Sequence, residues 1–393
     1  MTPARKLTAI ALVIAFIQFT NALEYMVFNP IFLYMAADFS VPVSFAGYVS
    51  AAYTLAAVIS GIGAFFWIGG VEKRRFLLLN VTLLLNVTLL GVTTLLIAAT
   101  QQFYWLLALR LLAGLLGGTT MGVGIGLLLN AAPAALHGRM LATVIASFSL
   151  VSIVGMPGML YLCEVASWRA ALVTIGGLCL LAAVLVALFV PRDAPQPRAT
   201  APVALDRRLL LFAAAAGLTQ FSPMLLIPVL APLLTQRLQV ADAHLPWLFL
   251  IGGVAGYLAT VLAGRWLQRF GVVTLTVGAT LLLLGSLWLA ARGGDRGELF
   301  MVAFLAAAYA RLVAISSLSM RWPDARQRAA FGVLQTALIH LSATAAFLLS
   351  SALLSSGLTP LSLQRLLWLC ALSAVAVAPL SVWLQARLRQ RGA

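Results

Sequence analysis

The stretch Pro191–Arg208, PRDAPQPRATAPVALDRR, is the one long hydrophilic interruption in a chain that is otherwise close to continuously apolar. Its Pro, Ala and Arg content reads as an extended linker. Outward from it, each flank divides at charged or Pro/Gly-rich breaks into six apolar runs. Before the linker they cover about 7–35, 43–69, 76–99, 102–129, 140–163 and 169–191; after it about 209–236, 245–267, 272–292, 298–320, 329–355 and 361–386. Each is at least as long as an α-helix needs to cross a bilayer core, about 17–25 residues. Runs that are apolar all round are not amphipathic surface helices, and the alternation of a membrane β-barrel is absent. The sequence predicts an all-α membrane protein with twelve transmembrane helices in two pseudo-symmetric six-helix bundles. Residues 1–191 form the N-terminal bundle, 192–208 the linker and 209–393 the C-terminal bundle.

Composition points the same way. Of 393 residues, 63% are hydrophobic and 9% charged, whereas a soluble domain carries about 25% charged residues. The net charge of +15 would suit a nucleic-acid partner, but the basic residues lie in short clusters between apolar runs. They are read as topology, with the lipid bilayer as partner and no nucleic acid. Eighteen of the 25 Lys and Arg residues fall in segments on the side of the N-terminus, five on the other side and two inside runs. The positive-inside rule then predicts a multi-pass protein of the inner (cytoplasmic) membrane with both termini cytoplasmic. Met1–Lys6 and the run after it mimic a signal peptide, but Leu7–Met35 is too long for one and is read as the first span. Cys163, Cys179 and Cys370 show no CxxC spacing or Cys/His cluster, so no metal site, disulfide scaffold or cofactor is expected.

The halves echo each other. Phe19–Val41, FTNALEYMVFNPIFLYMAADFSV, resembles Leu218–Val240, LTQFSPMLLIPVLAPLLTQRLQV, in polar pattern, mid-run prolines and terminal Val. Gly63 and Gly264 each precede a short basic loop. Repeated halves are a signature of secondary transporters, whose substrate site lies at the repeat interface near the midplane.

Charge inside a span is costly and marks a functional site unless it ties helices together. Arg110 lies about eight residues into the fourth run, and Arg311 occupies the matching run of the second half. Glu24, in Gln18–Phe32 (QFTNALEYMVFNPIF), is the one acid well inside a span, at a depth comparable with Arg110. An isolated buried carboxylate favours its protonated form and an arginine-paired one its ionised form, which suits a proton carrier; the alternative is a hydrogen-bonded structural pair. Gln18, Asn21 and Tyr25 at i, i+3 and i+7 share one face, Glu24 sits at its edge and Asn29 rejoins it. These residues read either as a transporter lining or as polar glue between helices. Phe28, Tyr53 and Phe221 are candidate aromatic lining for an amphipathic ligand. Gln335 and His340 are further lining candidates, although a lone His is equally a core residue.

Several local motifs resemble the major facilitator superfamily, in particular its twelve-helix drug/proton antiporter branch, which includes sugar-efflux and multidrug permeases. Leu107–Gly118, LALRLLAGLLGG, matches the R-x-x-x-G pattern of helix 4 with Arg110 and Gly114. Gly155-Met156-Pro157-Gly158 is similar to the glycine–proline antiporter motif of helix 5, with one residue inserted and the last glycines missing. Gly264–Gly271, GRWLQRFG, resembles the loop signature between helices 2 and 3, with Arg269 kept and Gln268 at the acidic position. Gly63–Arg75, GAFFWIGGVEKRR, is its first-half version, with Trp67 at the acidic position and Glu72 nearby. These basic residues are equally readable as plain anchors. Glu24–Val27, EYMV, is similar to the helix-1 segment that carries coupling in such antiporters. The resemblance implies that Arg110 and Glu24 couple protons and that Gly63, Gly114, Gly155, Pro157, Gly158, Gly264 and Arg269 serve gating and packing.

The expected function is a proton-coupled exporter of small amphipathic or hydrophobic molecules working by alternating access, a monomer driven by the proton gradient without other cofactor. The alternatives are uptake or facilitated transport of an anionic metabolite through Arg110 and Arg311, and, more remotely, a non-transporting membrane sensor. An enzyme is not expected, because there is no nucleophile–base–acid set and no metal-ligand spacing.

Overall fold

The computed structural model describes residues 3–70, 75–131, 147, 149–190, 206–323 and 328–390. Three expectations therefore lie wholly or partly outside the described residues: the linker at 192–205, the Glu72 loop at 71–74 and the first part of the fifth run at 140–146. Among the described residues the chain is helical with no strand.

The helices are α1 (Pro3–Met35), α2 (Ala46–Gly70), α3 (Arg75–Ala99), α4 (Phe103–Ala131), α5 (Met156–Val165), α6 (Trp168–Phe189), α7 (Arg207–Leu226), α8 (Leu245–Phe270), α9 (Val272–Arg292), α10 (Gly297–Ser319), α11 (Arg328–Leu353), α12 (Pro360–Val375) and α13 (Val377–Gln390). Eleven helical segments among the described residues are long and apolar enough to span a membrane, α12 and α13 together making one of them. Val151–Val165 is a shorter apolar helix, and most of the residues just before it lie outside the description. Large apolar side chains such as Leu12, Ile59, Leu188, Leu281, Trp368 and Leu372 are exposed. That pattern, untenable in water, suits lipid.

Helix ends follow their residues. Ser167 caps α6 by accepting the Ala170 N–H at 3.1 Å, and Thr359 caps α12 through the Ser362 N–H at 3.2 Å. Gly271, at φ +80°, lets α8 turn straight into α9, a backbone conformation that residues with a Cβ rarely adopt. A wide π-turn at Val151–Gly155 precedes α5 and accommodates Pro157, which has no N–H to give to the preceding turn. The same chemistry breaks the last span: Pro379 cannot return an N–H to the carbonyl of Val375, and the chain interrupts at Ala376 between α12 and α13.

The echo between the two halves extends to backbone geometry. Ser40 and Gln239 are the two non-glycine residues with positive φ among the described residues, both at 54°. Each is followed by a short 3-10 turn, at Val43–Phe45 and Asp242–His244, and then by a long helix. The register is that of the Phe19–Val41 and Leu218–Val240 pairing.

The chain forms two compact units. The first comprises Met1–Phe28 and Ala52–Pro202 and holds α3 packed on α4 and α6, with α5 on α6. The second comprises Asn29–Ala51 and Val203–Ala393, with α8 and α9 on α10 and α7 on α11. Its core gathers Leu209, Phe212, Leu318, Phe331 and Leu384, with Phe212 stacked on Trp322 at 4.4 Å between centroids. Residues 29–51, the tip of the first helix pair, belong to this second unit. There the Ser351 hydroxyl donates to the Ser44 carbonyl at 2.6 Å, and Ala51 packs with Ala343 and Phe347. Gly47 is required at this contact, because a Cβ would run into the Phe347 carbonyl oxygen and the Ser351 hydroxyl.

Candidate functional site

In the first unit, α1, α2 and α4 converge on one buried ion pair. The α1 side chains Gln18 and Asn21 each donate an amide N–H to an α4 backbone carbonyl, at Thr120 and Gly117, both at 3.3 Å. These bonds hold α1 in register against α4. One turn further along α1, Glu24 then faces Arg110, whose Nη1 donates to Oε1 at 2.5 Å; both side chains are completely buried.

Two rings cover the guanidinium. Its central carbon lies 3.9 Å from the Phe28 ring centroid and 4.5 Å from that of Tyr53. Tyr53 in turn stacks on Tyr25, with centroids 5.0 Å apart and planes 24° from parallel. The negative ring faces partly replace water for a charge taken out of it. Glycine brings α2 close enough for this. A Cβ at Gly114 would meet the Tyr53 carbonyl oxygen and the Ala56 Cβ, one at Gly117 would meet the Tyr53 hydroxyl, and one at Gly118 the Ala57 Cα. Gly155 admits the Leu23 and Phe19 side chains in the same way.

Several polar atoms of the cluster are buried with no hydrogen-bond partner among the described residues: Glu24 Oε2, Arg110 Nε and Nη2, Gln18 Oε1 and Asn21 Oδ1. A buried polar network left half satisfied is costly.

The other expected site residues fall elsewhere. Asn29 accepts a 2.6 Å hydrogen bond from Ser50 in the second unit. Arg311, also completely buried, donates to the Ser222 hydroxyl of α7 at 2.8 Å and to the Ala374 carbonyl of α12 at 3.1 Å. The Cys370 thiol donates to the Ser222 carbonyl at 3.0 Å. Gln335 is buried, and Phe221 and His340 are half-buried. No hydrogen bond joins these three to Arg311 among the described residues. The glycines divide. Gly114 and Gly155 are tightly packed, whereas a Cβ at Gly63, Gly158 or Gly264 would meet nothing within 4 Å among the described residues. Among the described residues, then, no neighbouring helix approaches these three closely. Arg269 is exposed and lies over the Phe270 ring at 5.4 Å.

Sequence reasoning missed Ser50, Ser222 and the Ala374 carbonyl. These carry no sign of their role, because a serine or a carbonyl finds its partner only through tertiary contact. Among the described residues no group of His, Cys, Asp and Glu is arranged to hold a metal ion.

The family model described as Major Facilitator Superfamily matches residues 14–215, just over half of the chain. The chain belongs to the major facilitator superfamily. A curated relative from Streptomyces lividans, a "Chloramphenicol resistance protein", is 25% identical over 259 residues. That match covers 64% of this chain and 64% of the relative, so the chain spans less than two thirds of the relative's length. Among solved structures, a bacterial homologue of the human lysosomal transporter Spinster, inward-facing and occupied, is similar with a TM-score of 0.74 at 15% identity, covering 98% of both chains. A mutant of the nucleoside transporter NupG is similar with a TM-score of 0.72 at 13% identity, covering 96% of this chain and 99% of that one. At such identities the likeness shows the fold alone. The superfamily consists of membrane transporters, and the eleven apolar helical segments among the described residues make this chain a multi-pass membrane protein of that family.

Proposed function

We propose that the protein is a proton-coupled exporter of small amphipathic or hydrophobic molecules, working by alternating access. The observation that carries this reading is the fully buried Glu24–Arg110 pair with an unused carboxylate oxygen beside it. A relative named for chloramphenicol resistance supports export, since a carrier protects a cell from a drug by moving it out. Val151–Val165 is read as part of a twelfth span, and the positive-inside count favours a place in the cytoplasmic membrane with both termini inside.

In this mechanism Glu24 takes a proton from the outer side. The neutral carboxyl holds Arg110 less tightly, which favours return to the inward-open state. Cytoplasmic substrate then displaces the proton, and the ionised carboxylate re-forms its bond with Arg110 Nη1. Among the described residues no second carboxylate takes part in this pair, so one proton per cycle is expected. The test is reconstitution into vesicles under an imposed pH gradient: Glu24→Gln should lose gradient-driven transport, and full retention would remove Glu24 as the carrier.

A second reading is transport of an anionic metabolite. It draws on Arg311, whose two hydrogen bonds go to a neutral hydroxyl and a carbonyl. Under that reading Arg311→Ala abolishes anion uptake and spares cations.

A further inference from the structure

We propose that Tyr53 is the positioning residue of the proton site: its ring, seated on the glycines of α4, holds the Arg110 guanidinium against Glu24. The inference rests on the reading of Glu24 as proton carrier and adds what sets the affinity of that carrier.

Arg110 bonds to Glu24 through one nitrogen, Nη1, while Nε and Nη2 have no partner among the described residues. A guanidinium recognised by a single bond is free to swing, because the two-bond fork that normally fixes arginine on a carboxylate is not made. The constraint comes instead from rings. Phe28 is on α1, the same helix as Glu24, and travels with the carboxylate. Tyr53 is on α2 and is the contact from a separate element, its centroid 4.5 Å from the guanidinium carbon. It is buried, and the Tyr25 ring backs it at 5.0 Å.

The seat for that ring is written into α4. Gly114, one turn beyond Arg110, lies against the Tyr53 carbonyl, and Gly117 lies against the Tyr53 hydroxyl. A side chain at either position would push α2 away and lift the ring off the arginine on the preceding turn. The R-x-x-x-G spacing thus joins a cation to the site of close approach that admits its ring. This role differs from the cavity-lining one expected from sequence.

When Glu24 accepts its proton, Arg110 loses its ionic partner but keeps its rings. The guanidinium stays where the carboxylate can recapture it, and the proton affinity of Glu24 stays tied to one geometry. The groups facing Glu24 are Arg110 from α4, Tyr53 from α2 and, at longer electrostatic range, the Cys179 thiol from α6; Tyr25 adjoins them on α1. Of these, Arg110 is the one fixed charge, so its distance from Glu24 is what a displaced ring would change.

The experiment is the pH profile of gradient-driven transport of chloramphenicol by the reconstituted full chain, read for Tyr53→Phe, Tyr53→Met, Gly114→Ala and Glu24→Gln beside wild type. Removing the ring loosens the ion pair, so the carboxylate takes its proton at lower proton concentration. Tyr53→Met should move the midpoint to higher pH by about one unit, a tenfold change in the proton concentration required. Tyr53→Phe keeps the ring and should keep the wild-type midpoint. Gly114→Ala, which leaves Tyr53 chemically intact, should shift the midpoint in the direction of Tyr53→Met and serves as the second handle if that variant does not fold. Wild-type midpoints in both Tyr53→Met and Gly114→Ala would overturn the inference, as would an equal shift in Tyr53→Phe. Glu24→Gln separates the two readings: transport surviving in it removes the carrier itself, whereas a dead Glu24→Gln with unmoved Tyr53 variants removes only the positioning role.

Discussion

The two buried arginines occupy matching helices of the two halves, yet the protein neutralises them in different ways. Arg110 faces a carboxylate and two aromatic rings. Arg311 faces a hydroxyl and the Ala374 carbonyl in the last turn of α12, where the chain breaks before Pro379. Both hydrogen-bond partners of Arg311 are thus neutral groups, and among the described residues no acidic side chain pairs with it. The first arrangement can change its charge by taking up a proton. The second cannot, because neither a serine nor a peptide carbonyl titrates in the physiological range. The comparison teaches that equal residues at equivalent places in a repeat need not play equal parts. Under the proposed function the first exchanges protons, whereas the second ties α7, α10 and α12 together.

The difference can be broken by substitution. The largest effect is expected from Glu24→Leu, which leaves Arg110 as an uncompensated buried charge and should cost about 3–5 kcal/mol. Adding Arg110→Met should recover much of that loss, and SDS-titration unfolding in mixed micelles reads both. In the same assay Arg311→Met should cost less, about 1–3 kcal/mol, because only neutral partners are stranded. A loss for Arg311→Met as large as that for Glu24→Leu would erase the distinction between the two sites.

Packing sharpens the comparison at a smaller scale. Gly114→Ala forces a Cβ into the Tyr53 carbonyl and should cost about 1–3 kcal/mol through displaced backbone. Gly158→Ala meets nothing within 4 Å among the described residues and should be neutral or stabilising by up to about 1 kcal/mol, since alanine is the better helix former. Thermal unfolding of the two variants in one detergent orders them directly. The reverse order would mean that the glycines of the helix-5 motif, and not those of helix 4, set the tight contact.

Much of the fold was legible in the residues alone. Apolar runs of bilayer length, divided by one hydrophilic linker, dictated a helical membrane protein, since lipid leaves backbone polar groups no partner outside a helix or closed barrel. The pairing of Phe19–Val41 with Leu218–Val240 anticipated the two equivalent turns at Ser40 and Gln239. Glu24 and Arg110 stood out because charge is scarce in such runs. The same reasoning singled out Arg311 without being able to tell it from Arg110, and it offered Gly63, Gly158 and Gly264 for packing contacts that the described residues do not make.

What the sequence by itself determined, then, is where charge is expensive and where helices must run, because both follow from the solvent. Which partner each charge meets was decided only in three dimensions. Residue 24 reaches residue 110 because Gln18 and Asn21 lock α1 onto α4, and residue 311 reaches residue 374 because α12 ends beside α10. Contacts between residues about 60 to 100 positions apart depend on the packing of whole helices, and no local spacing encodes them.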